Sequence, residues 1–135
     1  MKLHDTHSVE RAVLAQVVQA KSDVAEAADS LLELQRLTDT AGLETAGQIT
    51  QNRLKPDGGT MFGSGKVEDL KAIVAAKGAN TVIFDNELSA IQSYNLTKAL
   101  NVRVMDRTEI ILEIFARRAR SAEAQAQVEL ARLQF

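Results

Sequence analysis

Four short runs rich in β-branched and aliphatic residues alternate with four segments of helical period, and this alternation restricts the chain more than any other feature. "VERAVLAQVV" (9–18) reads as a buried strand. "SDVAEAADSLLELQRLTDTAG" then reads as a helix, with capping-box spacing at Asp23 and Glu26, an apolar stripe of Val24, Ala27, Ala28, Leu31, Leu34 and Leu37, and Gly42 at its end. "LETAGQITQ" (43–51) is a second strand. A long turn-rich loop, "NRLKPDGGTMFG", carries the one proline and leads to a helix from Ser64 to about Lys77, with Val67, Leu70, Ile73 and Val74 inward and Gly78 as terminator. "TVIFD" (81–85) is a third strand. A helix capped by Ser89 and Gln92 runs on to Leu100, with Asn101 as a left-handed terminator. "VRVMD" (102–106) is the fourth strand. Asp106 and Glu109 open the last helix, whose inner side is Ile110, Ile111, Ile114 and Phe115.

Strand followed by helix, four times over, requires parallel strands with crossover helices. The expected fold is therefore α/β: a small, mostly parallel four-stranded sheet with helices on both faces, followed by the start of a long coiled-coil-like helix. Alternation does not fix the strand order, for which 2-1-3-4 is a guess. Residues 1–8 read as a flexible leader, 9–120 as the α/β domain and 121–135 as the start of a helical linker. If continuous, the stretch from Thr108 to Phe135 would extend about 42 Å; Ser121 would serve equally as the cap of a separate helix. Small or apolar residues at 119, 122, 126, 130 and 133 permit a helix-pairing seam, and with it self-association.

Composition narrows the chemistry. Aromatic residues make up 4% of the chain and tryptophan is absent, so the core is aliphatic. Without cysteine there is neither disulfide nor thiolate chemistry. "MKLHDTHSVE" lacks the apolar run of a signal peptide, and no segment reaches the ~20 apolar residues of a membrane span. The expectation is a soluble cytoplasmic protein. His4 and His7 could share a metal only on a helix, assisted by Asp5 or Glu10; a frayed terminus is the simpler reading, and no metal site is expected. No residues form a catalytic constellation.

"GGTMFGSGKVEDL" imitates a phosphate loop, but G-x-x-x-x-G-K-[ST] fails at two positions. Thr60 stands where the first glycine belongs and Val67 where the magnesium-binding hydroxyl belongs. Gly63 and Gly65 then permit close packing and Ser64 caps the helix, although the same helix end could hold an anion such as an RNA phosphate. Asp85, Asn86 and Glu87 lie at the carboxyl end of the third strand, where open α/β sheets place ligands, and read foremost as turn chemistry. Tyr94 reads as a half-buried packing residue. The net charge is −2, so any basic surface is local. Its candidates are Arg53, Lys55 and Lys66 around the long loop, Arg103 and Arg107 further on, and Arg117, Arg118 and Arg120 in "FARRAR"; a solvated helix face is the plain alternative for the last three.

"GSGKVEDL", "VIFDNELSAIQSYNLTKAL" and "VRVMDRTEIILEIFARRARSAEAQAQVELARLQF", in that order and preceded by "LLELQRLTDTAGLETAGQITQNR", resemble the N-terminal domain of the HflX family of ribosome-associated GTPases. The resemblance spans about residues 9–135, and "DRTEIILEIFARRAR" is its most specific part. It implies an α/β domain followed by a helical subdomain and then a G domain that holds GTP and magnesium. It also implies contact with the large ribosomal subunit and its RNA. No G domain is present in these residues, so this chain is expected to need no cofactor and to hydrolyse nothing itself. Ala90 replaces a proline common in the family and Asn86 a second aspartate. The resemblance carries Gly63, Gly65 and Lys66 onto the family's loop, Asp106, Arg107 and Thr108 onto the loop after the fourth strand, and Arg117, Arg118 and Arg120 onto the basic end of the next helix. Lys66, Arg107 and the three arginines are the expected RNA-facing residues; Arg107 could instead satisfy helix ends or pair with Asp85.

Overall fold

The computed structural model describes residues 10–19 and 23–133. His4, His7 and the leader lie outside the described residues. Strands β1 (Arg11–Val18), β2 (Glu44–Asn52), β3 (Thr81–Phe84) and β4 (Arg103–Asp106) alternate with helices α1 (Val24–Thr40), α2 (Ser64–Lys77), α3 (Ala90–Leu100) and α4 (Arg107–Leu133). All pairings are parallel and the order is β2-β1-β3-β4, as expected.

Strand period and register account for the two layers. Side chains alternate between faces, so residues paired across strands form rows on one side of the sheet. Val13, Val82 and Val104 make one row, which packs with Val67, Leu70 and Val74 of α2 and Leu96 and Leu100 of α3. Leu14, Ile83 and Met105 make the row on the other face, packed with Leu34 of α1 and Ile110 and Ile114 of α4. The central strands are thus covered on both sides, which is why β1 and β3 read as continuous apolar runs.

The edge strand β2 is less committed. Its register places Gln48, Thr50 and Asn52 beside Leu14, Gln16 and Val18 on the α1 side. That polar face leaves the expected α1 stripe only partly covered. Leu34 is buried, with Thr38, whereas Val24 is 59% exposed and borders a cleft of about 310 Å³ with Ala27, Ala28, Leu31 and Thr50.

The helix ends follow their sequence signals with two corrections. Gly42 (φ 87°), Gly78 (φ 62°) and Asn101 (φ 55°) all adopt the left-handed conformation at helix ends. The reciprocal Ser89–Gln92 capping box is formed. Asp23, however, makes no side-chain cap to α1, because its backbone departs from the extended geometry a cap needs. At α2 the N-cap is Gly63, in extended conformation, and Ser64 is already inside the helix. Phe115 is not buried: it is 58% exposed, about 100° round the helix from Ile114. Tyr94 is exposed as well, with the Lys98 ammonium 5.8 Å from its ring centroid. No helix among the described residues is long and apolar enough to cross a membrane.

Candidate nucleic-acid interface

Parallel strands give the sheet two chemically different edges, and the expected basic residues divide between them. At the carboxyl edge, the loop between β2 and α2 is ordered by its own polar groups. The Asp57 carboxylate accepts from the amides of Gly59 (2.8 Å) and Thr60 (3.0 Å), and the Asp57 and Met61 backbones exchange two hydrogen bonds. Those amides, Gly59 first, hold the Asp57 carboxyl below its ordinary value of 3.8, against a smaller opposing effect of burial. Gln92 and Asn95 of α3 donate to the Asp57 and Gly59 carbonyls, and Phe62 packs edge-on against Phe84 at 5.1 Å. A loop of this length therefore keeps one shape.

On that loop Arg53 donates from Nε to the Lys55 carbonyl (2.8 Å). Its guanidinium lies over Gly63, where a Cβ would come within 2.5 Å of Nη1. A Cβ at Gly63 would crowd only that movable guanidinium tip, and at Gly65 it would meet open space, so close packing requires neither glycine. Lys66 sits in the first turn of α2, which carries no acidic residue and no side-chain cap, and it has no ion pair among the described residues.

Arg107 begins α4 at the same edge, yet its guanidinium points into the molecule. Nε and Nη2 both reach Asp85 Oδ1, at 2.9 and 2.8 Å. Nη1 meets Glu33 at 2.6 Å, and Nη2 also donates to the Ser30 carbonyl (2.8 Å) and hydroxyl (2.9 Å). Burial pulls its pKa down, but the hydrogen bonds to Asp85 and Glu33 outweigh this and leave it raised. The other Asp85 oxygen accepts from Ser30 Oγ (2.6 Å) and Gln16 Nε2 (3.1 Å). Beside it, the Asn86 side chain exchanges two bonds with the Val17 backbone, continuing the β1–β3 pairing past the last sheet residues. Strand order reverses between β1 and β3, the position where open α/β sheets bind ligands. Here the position is filled by the protein's own polar groups. The remaining crevice is about 240 Å³, with Asp23, Glu26 and Asp85 on its walls. Such walls repel phosphate.

α4 runs back along the sheet and brings Arg117, Arg118 and Arg120 toward the amino edge. Arg117 lies over Gly42 at the end of α1, where a cation complements the helix dipole, and is 3.9 Å from Glu113. Nearby, Arg103 pairs with Glu113 (3.6 Å) and Arg11 with Glu44 (3.0 Å). Arg118 and Arg120 are exposed, with no ion pair among the described residues. The helix continues through Ser121 without a break, and every described residue beyond Ile114 is exposed. The expected residues therefore make two separate surfaces plus one internal arginine. Among the described residues, no group of three or more metal-ligating side chains occurs.

Gln16, Ser30 and Glu33 were not among the expected site residues. Only Gln16 left a trace in the sequence, as an amide inside the apolar run "AVLAQVV". A buried amide needs partners.

Fold and surface together define a small open-sheet α/β domain from which one basic helix projects. The chain belongs to the GTP-binding GTPase N-terminal family, whose model matches residues 28–116. It is 42% identical over 126 residues to the GTPase HflX of Caldanaerobacter subterraneus subsp. tengcongensis, covering 93% of this chain and 28% of that protein. To the GTPase HflX of Escherichia coli it is 43% identical over 105 residues, covering 78% of this chain and 25% of that protein. The chain thus spans less than a third of the length of these relatives. Among solved structures, SsGBP in complex with GDP matches with a TM-score of 0.61 and 25% identity, over 94% of this chain and 35% of that one.

Proposed function

We propose that the chain is the N-terminal ribosome-binding domain of an HflX-like GTP-binding protein and contacts large-subunit ribosomal RNA through its basic surfaces. GTP hydrolysis belongs, in this reading, to a G domain elsewhere in the parent protein, where GTP and magnesium bind; this chain contributes binding in the cytoplasm and no bond-breaking step. One observation carries it. Residues 115–133 hold four arginines against two glutamates, all exposed, on a chain whose net charge is −2. Arginine forks onto phosphate oxygens, and exposed Arg118 and Arg120, which make no ion pair among the described residues, can meet a phosphate backbone. Arg53 and Lys55 on the ordered loop and Lys66 in the first turn of α2 provide a second basic surface.

An autonomous nucleotide site is the weaker reading. Thr60 and Val67 break the phosphate-loop pattern, and the crevice at the carboxyl edge is small and acid-walled. The test is sedimentation of the chain with purified large or small ribosomal subunits. The proposal expects the chain to pellet with large subunits at low salt and to be released as salt rises. Failure to pellet even at low salt would overturn it, and heat released on titration with GTP or ATP would favour the nucleotide reading.

A further inference from the structure

The one arginine of the basic set that is turned inward has a different task. We infer that Arg107 is a positioning residue: it clamps the first turn of α4 to α1 and β3, and so sets where the exposed arginines of α4 stand. The idea rests on the ribosome-binding reading for its purpose but not for its geometry.

Arg107 is the first residue of α4, and its guanidinium bonds two other elements at once: Asp85 after β3, and Ser30 and Glu33 on α1. A planar fork with several fixed donors holds such an arrangement in one orientation, which a lysine cannot do. The preceding residue fixes the other side. Asp106 accepts from the Glu109 amide of α4 (3.0 Å) and from the Leu88 amide ahead of α3 (2.9 Å). Beyond these polar ties α4 is held by buried Ile110 and Ile114, by partly buried Ile111 and by the Arg103–Glu113 pair, all contacts further along the helix than Arg107. Asp85 is itself held by Ser30 and Gln16, so the acceptor cannot swing to follow a moving helix.

Small changes at this clamp become large ones along the arm. Arg120 lies about 20 Å from Arg107 along the helix axis, so a tilt of about 10° displaces it by about 3 Å. That shift equals a whole hydrogen-bond length and would remove an arginine from its phosphate.

The absence of cysteine gives a direct measurement. Spin labels are placed by Ala99→Cys on α3 and Gln127→Cys on α4, both exposed positions. The chain should give one narrow distance distribution. Arg107→Met should broaden or shift it by several ångströms, and Arg107→Lys should restore it only in part. An unchanged distribution in a folded Arg107→Met chain overturns the inference. Should that variant not fold, Ser30→Ala with Glu33→Gln, which removes the side-chain ties of α1 to both Arg107 and Asp85, must broaden the distribution, and no broadening is equally fatal.

Binding to large subunits across a salt series supplies an independent arm. A positioning residue lowers affinity in Arg107→Met while leaving the slope of log K against log salt unchanged. A residue that itself touches phosphate lowers the slope by about 0.9, and that result would return Arg107 to the contact surface. If the unaltered chain does not bind at all, the ribosome reading fails, while the spin-label distances still decide the clamp.

Discussion

The two halves of α4 are one continuous helix with opposite commitments. From Arg107 to Ile114, Ile110 and Ile114 are 0% and 7% exposed and close the layer under Leu14, Ile83 and Met105. From Phe115 to Leu133 no residue is buried, and Val128, Leu130 and Leu133 are 52%, 58% and 82% exposed. A lone helix gains little stability in water without a packed face. The second half must therefore lean on the first for its direction and on its own good helix formers, Ala, Gln, Glu and Arg, for its persistence. Continuity of secondary structure says nothing about which residues hold a fold and which serve a surface.

The sharpest way to break this contrast is truncation of one leucine-sized side chain in each half. Ile110→Ala should cost about 3 kcal/mol in urea unfolding, since the site is fully enclosed. Leu130→Ala should stay within about 0.5 kcal/mol, and a large loss there would mean that the second half is packed after all.

Arg107→Met comes next, at about 3 kcal/mol or somewhat less, because it strands the buried Asp85 carboxylate beside only the neutral donors of Ser30 and Gln16. The exposed pair Arg118→Ala and Arg120→Ala should by contrast leave the unfolding midpoint almost unmoved. Equal losses in the two experiments would erase the distinction between clamp and surface.

Asp57→Ala should cost about 1 kcal/mol through the loop hydrogen bonds it removes. The pH dependence has a definite sign. The folded-state pKa of Asp57 lies below 3.8, so the carboxylate's stabilisation is complete above the unfolded value and disappears as pH falls through the lower, folded one. Amide hydrogen exchange at Gly59 and Thr60 should show protection lost below about pH 4, relative to Asp57→Ala, in which this dependence is gone. Protection that varies instead between pH 6 and 8 would point to another group. Smallest of all is Lys66→Ala, expected to leave stability within about 0.5 kcal/mol and to read out only in subunit binding.

Much of the fold was legible because it rests on local signals. The period-2 and period-3.6 patterns, the Ser89–Gln92 box and the terminators Gly78 and Asn101 each act within a few residues, and the parallel pairing, though not the strand order, followed from the repeated alternation. Errors arose where a distant partner decides. The α1 stripe looked buried because its own period is apolar, yet Gln48, Thr50 and Asn52 of β2 set what it faces. Phe115 fitted the inner face of α4, but the covering layer ends before it. Lys66, Arg107, Arg117, Arg118 and Arg120 were all expected to face RNA, whereas α4 carries Arg117–Arg120 about 15 Å or more from Arg107, whose guanidinium turns to Asp85 and α1. The pairing of Arg107 with Asp85 had been readable as an alternative; its ties to Ser30 and Glu33, 77 and 74 residues away, had no local trace.

The proposed function requires the exposed half of α4 to be a phosphate-binding surface. Its most direct measurement is the salt dependence of large-subunit binding for the unaltered chain and for the double variant Arg118→Ala, Arg120→Ala. Two lost phosphate contacts should weaken binding at low salt and make the slope of log K against log salt shallower by between about 1 and 2. An identical slope and affinity in the folded double variant would contradict it.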